Sequence, residues 1–129
     1  MKRAPRGHAL GRAAEQAASD YLVARGFVIL GQNVRFGALE IDVVARSGEL
    51  LALVEVRSRK PGAMVGALAS IGPKKQARLV AAAARVLAAP PFPLDGVERV
   101  RLDVCIVHLS KGTAAIEHFP AAITAQEET

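Results

Sequence analysis

The sequence predicts an α/β fold, a mixed sheet of four to five strands flanked by helices in the order α-β-β-β-α-β-β. Three observations carry that prediction. An Ala-rich segment opens the chain with helical spacing of apolar residues. Three aliphatic, β-branched runs follow, divided by Gly-containing turns. A second Ala-rich helix, started by a proline, then separates those strands from one or two more. At 129 residues, half of them hydrophobic, the chain forms one domain with a real core.

The first helix runs from about His8 to Arg25. Ala13, Ala17, Tyr21 and Ala24 recur at helical spacing, and Gly26 ends it. "FVILGQNVRF" is the first strand, interrupted near Gly31. "LEIDVVAR" and "ELLALVEVRSR" are the second and third, turning at Ser47-Gly48. "KPGAMVGA" is a loop with room for a short helical piece before Pro73. A helix from Pro73 to about Ala89 buries Leu79, Ala82, Ala83 and Val86. "ERVRLDVCIVHL" is the fourth strand and "TAAIEHFP" the fifth. Residues 1–7 are expected as a flexible basic tail, 8–120 as the domain and 121–129 as a frayed tail.

Composition excludes several functions. A single cysteine, Cys105, rules out an internal disulfide and a cysteine metal cage, and it reads as a small core residue. Together with the lack of an apolar signal region or membrane-length run, this predicts a cytoplasmic protein with no membrane partner. Four Phe, one Tyr and no Trp argue against a base-stacking platform. The net charge of +5 suits a polyanion without specifying one. His8, His108 and His118 lack metal-ligand spacing.

The chemistry gathers in the second and third strands. Glu40 and Asp42 share one face of the second; Glu55, Arg57 and Arg59 share one face of the third. Ile41, Val43 and Ala45, with Ala52, Val54 and Val56, take the opposite face. A hairpin centred on Ser47-Gly48 pairs Arg46 with Glu49, Asp42 with Leu53, and Glu40 with Glu55. Opposed carboxylates are unstable by themselves. Salt bridges from Arg57 or Arg59 relieve them in one reading. In the other, a hard divalent cation such as Mg²⁺ does so. On the second helix, Lys74, Arg78 and Arg85 fall within about 40° of one another, as a phosphate-contacting stripe or a solvated face. Arg101 and Asp103 share a strand face and read as a structural ion pair.

"EID", followed thirteen residues after its Asp by the Glu of "VEVRSR", is similar to the core of the PD-(D/E)xK nuclease superfamily. More narrowly, "GRAAEQAASDYLVARGFVILGQNVR", "EIDVVARSGELLALVEVRSR", "GPKKQARLVAAAARVL" and "VRLDVCIV" together resemble the YraN-like family of bacterial proteins. That resemblance implies a restriction-endonuclease-like fold, close to archaeal Holliday-junction resolvases. It implies Mg²⁺ or Mn²⁺ held by Asp42 and Glu55, with Arg57 in the Lys position and Glu15 and Glu40 in support. It also implies a DNA substrate, branched or structured, contacted by Arg59, Lys60, Lys74, Lys75 and Arg78. Two-strand cleavage would suit a homodimer. The chain departs from the pattern at Arg57, which stays protonated and cannot act as a general base. Leu39 also stands where the family has Gly. Lys74 or Lys75 could supply the missing lysine. The alternatives are a nucleic-acid-binding module with a weakened site, and an interaction protein with a salt-bridged acidic cluster.

Overall fold

A computed structural model describes residues 8–36, 38–59 and 71–123. Its elements are α1 (His8–Ala24), β1 (Val28–Phe36), β2 (Leu39–Ser47), β3 (Leu50–Arg59), α2 (Pro73–Ala88), β4 (Arg99–Ser110) and β5 (Thr113–Ile123). The expected order of elements holds. The basic tail at 1–7, the loop at 60–67 with its short helical piece, and residues 124–129 lie outside the described residues.

The five strands lie side by side in sequence order. Every neighbouring pair is antiparallel except β3 and β4, which run parallel. A parallel pair cannot be joined by a tight turn, so the chain crosses over through α2. The sheet is therefore mixed, and both its faces are covered. On one face α1 packs through Ala14, Ala18 and Leu22 onto Val43, Ala45, Ala52, Val54, Cys105 and Val107. On the other, α2 packs through Leu79, Ala82 and Val86 onto Val44, Leu51, Leu53, Leu102, Val104 and Ile106. Each fully buried Val or Leu on these stripes contributes about 1.5–3 kcal/mol of transfer free energy.

The buried stripe of α1 differs from the expected one by a single residue. Ala13 and Ala24 are exposed, whereas Ala14, Ala18 and Leu22 are buried. Leu22 is the helix's largest buried aliphatic, and its burial rotates the helix by one position. The rotation also brings Glu15 and Ser19 toward the sheet instead of leaving Glu15 on the far side. For α2 the stripe is as expected.

The β2–β3 hairpin is slid by two residues from the expected register. Ser47 pairs with Leu50, so the turn residues are Gly48 and Glu49. Gly48 sits at φ +60°, at the first central position, which is where a type II′ turn places its glycine. A slide of two keeps the paired side chains of 43–47 and 50–54 on their faces.

The interruption near Gly31 is a register shift between Ile29 and Gly31. β5 extends past Pro120 to Ile123. Asp103 is fully buried and accepts from Arg101 Nε and Nη2 at 2.8 and 2.9 Å, His118 Nε2 at 2.8 Å and the Ala121 N–H at 3.0 Å. Burial alone would raise its proton affinity, but these partners, Arg101 foremost, hold it below the ordinary carboxylate range. The expected ion pair with Arg101 is therefore present, within a larger network that clamps β5 to β4. Cys105 is buried, as expected, and desolvation pushes its thiol up to about 12. No helix among the described residues is long and apolar enough to cross a membrane.

Candidate active site

The site forms where β2 and β3 part. Their pairing ends at Val43 with Val54. Had it continued, Asp42 would stand beside Glu55. Instead Asp42 Oδ2 accepts the Val56 N–H at 2.8 Å, so a carboxylate takes a hydrogen bond that backbone would otherwise make. Alternation along β2 also breaks here. Ile41 packs with Val44 beneath α2, not with Val43 and Ala45 as expected. This local distortion sets Asp42 within reach of groups on both helices: the charges of Glu15 on α1 and Lys75 on α2 both act on it.

Glu55 is 6 % exposed, the most enclosed of the site's acids. Arg57 Nε lies 3.4 Å from its Oε2 and Lys75 Nζ 3.6 Å from the same oxygen. The other oxygen, Oε1, is buried without a hydrogen-bond partner, as is Arg57 Nε. A buried polar atom left unsatisfied costs about 1–3 kcal/mol, so Glu55 has capacity for a further cationic or hydrogen-bonding group. Asp42 is pushed up to about 7, chiefly by desolvation and then by Glu55. The Val56 N–H and Lys75 oppose that rise.

A pocket of about 190 Å³ opens beside these groups, lined by Ala38, Leu39, Glu40, Asp42, Lys75, Arg78 and Leu79. The structure thus brings together Asp42, Glu55, Arg57, Glu40, Lys75 and Arg78. Glu40 is not opposite Glu55: the β2–β3 pairing ends at Val43, and on its other side Glu40 pairs with Arg35 of β1. Glu15 is half-buried, and its Oε1 accepts from Asn33 Nδ2 at 3.0 Å. Lys74 is exposed at the start of α2, and Arg78 and Arg85 are exposed further along it. Arg59 ends β3, but its side chain, like all of Lys60, lies outside the described residues.

Sequence reasoning missed two parts of this site. The Val56 N–H has no side-chain signal. Asn33 could have been noticed as an asparagine inside a strand pattern, a residue type that tolerates a left-handed backbone.

The donor set can be tested against a metal directly. Among the described residues, no three His, Cys, Asp or Glu side chains converge as a ready cage. Mg²⁺ does not need one: it is commonly held by one or two carboxylates, with waters and substrate phosphates completing its shell. Two carboxylates with one unsatisfied buried oxygen fit such an ion.

Comparison with known proteins finds relatives over most of the chain. A protein from Sorangium cellulosum is 44 % identical over 115 residues, 88 % of this chain and 80 % of that protein. One from Anaeromyxobacter dehalogenans is 44 % identical over 115 residues, 88 % of this chain and 83 % of its own length. One from Kineococcus radiotolerans is 39 % identical over 113 residues, covering 85 % and 89 %. All three carry the name UPF0102 protein. The family model described as "Uncharacterised protein family UPF0102" matches residues 14–107, a span that holds every side chain of the site from Glu15 to Arg78. The chain therefore belongs to the UPF0102 family, the YraN-like group that its strand motifs resemble.

Proposed function

We propose that this protein binds DNA and hydrolyses its phosphodiester bonds with a divalent cation, Mg²⁺ or Mn²⁺, held by Asp42 and Glu55. The observation that carries the reading is the pair of carboxylates at the parting of β2 and β3, half-buried Asp42 and buried Glu55 with its unsatisfied oxygen, beside a pocket rimmed by Lys75 and Arg78. When bound there, such an ion polarises the phosphoryl oxygen and lowers the pKa of a water. The remaining work falls to the chain's own groups. Arg57 holds Glu55 and keeps a fixed positive charge near the reacting phosphate. Lys75 offers the ammonium that the strand lacks. Lys74, Arg78 and Arg85 form the exposed phosphate-facing stripe, and Glu40 and Glu15 add negative charge around the metal.

A second reading is DNA binding without cleavage. It is favoured by the two cations already placed on Glu55, which neutralise the carboxylate before any metal arrives. The test separates the two. The purified chain is incubated with duplex, single-stranded and four-way-junction DNA, with Mg²⁺ or Mn²⁺ or with chelator, beside Asp42→Asn. The expected result is metal-dependent cleavage that falls at least about 10²-fold in the folded variant, the scale of losing one preorganised stabilising group. Salt-sensitive binding without cleavage would establish the second reading. Neither binding nor cleavage would leave the acids and Arg57 as a salt-bridge network of an interaction protein.

A further inference from the structure

Asn33 holds φ 53°, and the only other non-glycine residue with positive φ among the described residues is Ala121. That conformation costs most residues roughly 1–2 kcal/mol, and Asn tolerates it because its short amide can bond locally. It persists where the surroundings hold it, and such residues cluster at functional sites. Ala121 has an explanation in the fold, since its N–H is taken by Asp103. Asn33 needs a different one.

Its position supplies that explanation. Gln32 pairs with Val43 and Val34 with Ile41, in one register. Asn33 therefore stands opposite Asp42, yet that pair is missing from the ladder. The gap coincides with the break in alternation that turns Ile41 beneath α2. Instead of pairing, Asn33 donates through Nδ2 to Glu15 Oε1 at 3.0 Å, tying α1 to the strand position that faces Asp42. The charge of Glu15 reaches Asp42. A neighbouring bond, Gln32 Nε2 to Ser19 Oγ at 2.8 Å, already ties α1 to β1, so the Asn33 bond is not required merely to hold the helix down.

We infer that Asn33 is a positioning residue of the metal site: its amide fixes Glu15 at the Asp42 end of the site, where the Glu15 charge helps draw a divalent cation to Asp42 and Glu55. This rests on the reading that those two carboxylates hold a metal, and it assigns the α1 carboxylate a partner that sets its place.

The experiment measures Mn²⁺ affinity of the full chain by calorimetry, with thermal unfolding alongside. The variants are Asn33→Gly, Glu15→Gln, their double, Gln32→Ala and Asp42→Asn. Glycine accepts the backbone conformation, so Asn33→Gly removes the amide without imposing strain. Asn33→Gly is expected to weaken Mn²⁺ binding several-fold, by the same factor as Glu15→Gln, and the double variant to bind no worse than either. Gln32→Ala, which cuts the structural tie alone, should leave the affinity unchanged. If Asp42→Asn weakens binding but Asn33→Gly does not, or if Asn33→Gly and Glu15→Gln act additively, the role of Asn33 is overturned and the metal site stands. If the wild-type chain binds no Mn²⁺, or Asp42→Asn leaves the affinity unchanged, the metal reading fails and takes this inference with it.

Discussion

Asp42 prefers to keep its proton up to about pH 7, first because burial strips water from its charge and then because Glu55 is close. Its folded value is raised, so its contribution to stability is complete below the ordinary carboxylate range and is lost as pH rises through about 7. A metal requires the ionised form and competes with the proton. Mn²⁺ affinity should therefore climb with pH until about 7 and then level off. Calorimetry across that range checks this, and a flat profile would argue against Asp42 as a ligand. Arg57 leads to a second expectation. Its Nε lies 3.4 Å from Glu55 Oε2 without a hydrogen bond, so the pair rests on charge and not on a directed bond. Arg57→Lys should keep or raise the cleavage rate, because an ammonium preserves the charge beside Glu55. A large loss would mean that the site is built around a guanidinium. Asp42, Glu55 and Arg57 were legible in the sequence because charge inside an aliphatic strand is costly and therefore conspicuous. Asn33 was not, because its meaning depends on a backbone angle and on which residue stands across the strand.

At the level of elements, α2 begins with Pro73, Lys74 and Lys75, has no acid in its first turn, and carries Arg78 one turn on. Cations at a helix N-terminus oppose the macrodipole, and Glu55 offsets Lys75 among them. Lys74→Ala should weaken DNA binding and lower the slope of log affinity against log salt by about 1, the signature of one lost phosphate contact. An unchanged slope would mark the stripe as a solvated face. Both helices and all five strands could be read from periodicity, and the parity of β3 was correct, whereas that of β2 fails between Ile41 and Val43. The register was not, because Ser47-Gly48 and Gly48-Glu49 are both acceptable turns and a slide of two alters no face. The rotation of α1 was equally hidden: alanines surround that helix, and only Leu22 distinguishes one stripe from the next.

Across the whole molecule, sequence pattern indicated a mixed sheet flanked by helices, while the strand order and the parallel β3–β4 pair came from the structure. That Arg57 or a lysine of α2 meets the acids was among the sequence readings; that Lys75 is the lysine which reaches Glu55 was not accessible, since it does so only through the crossover. The strand order has a further consequence for local opening. Glu55 rides on β3, the middle strand of five, paired with β4 along its whole length and with β2 as far as Val54. Lys74, Lys75 and Arg78 ride on a helix held by one stripe of side chains. Opening free energies within a domain range from nearly nothing at loosely held ends up to the global value in central strands. The two halves of the site therefore belong to different cooperative units. Amide hydrogen exchange should be slowest in β3 and β4 and much faster in the first turn of α2. Added DNA should slow exchange in that turn and leave β3 as it was. Equal protection of both in the free chain would show that the site opens as one unit. Faster exchange in α2 would instead mean that the acids are held in a rigid frame and that Lys74, Lys75 and Arg78 are the part that yields to the substrate and closes on it.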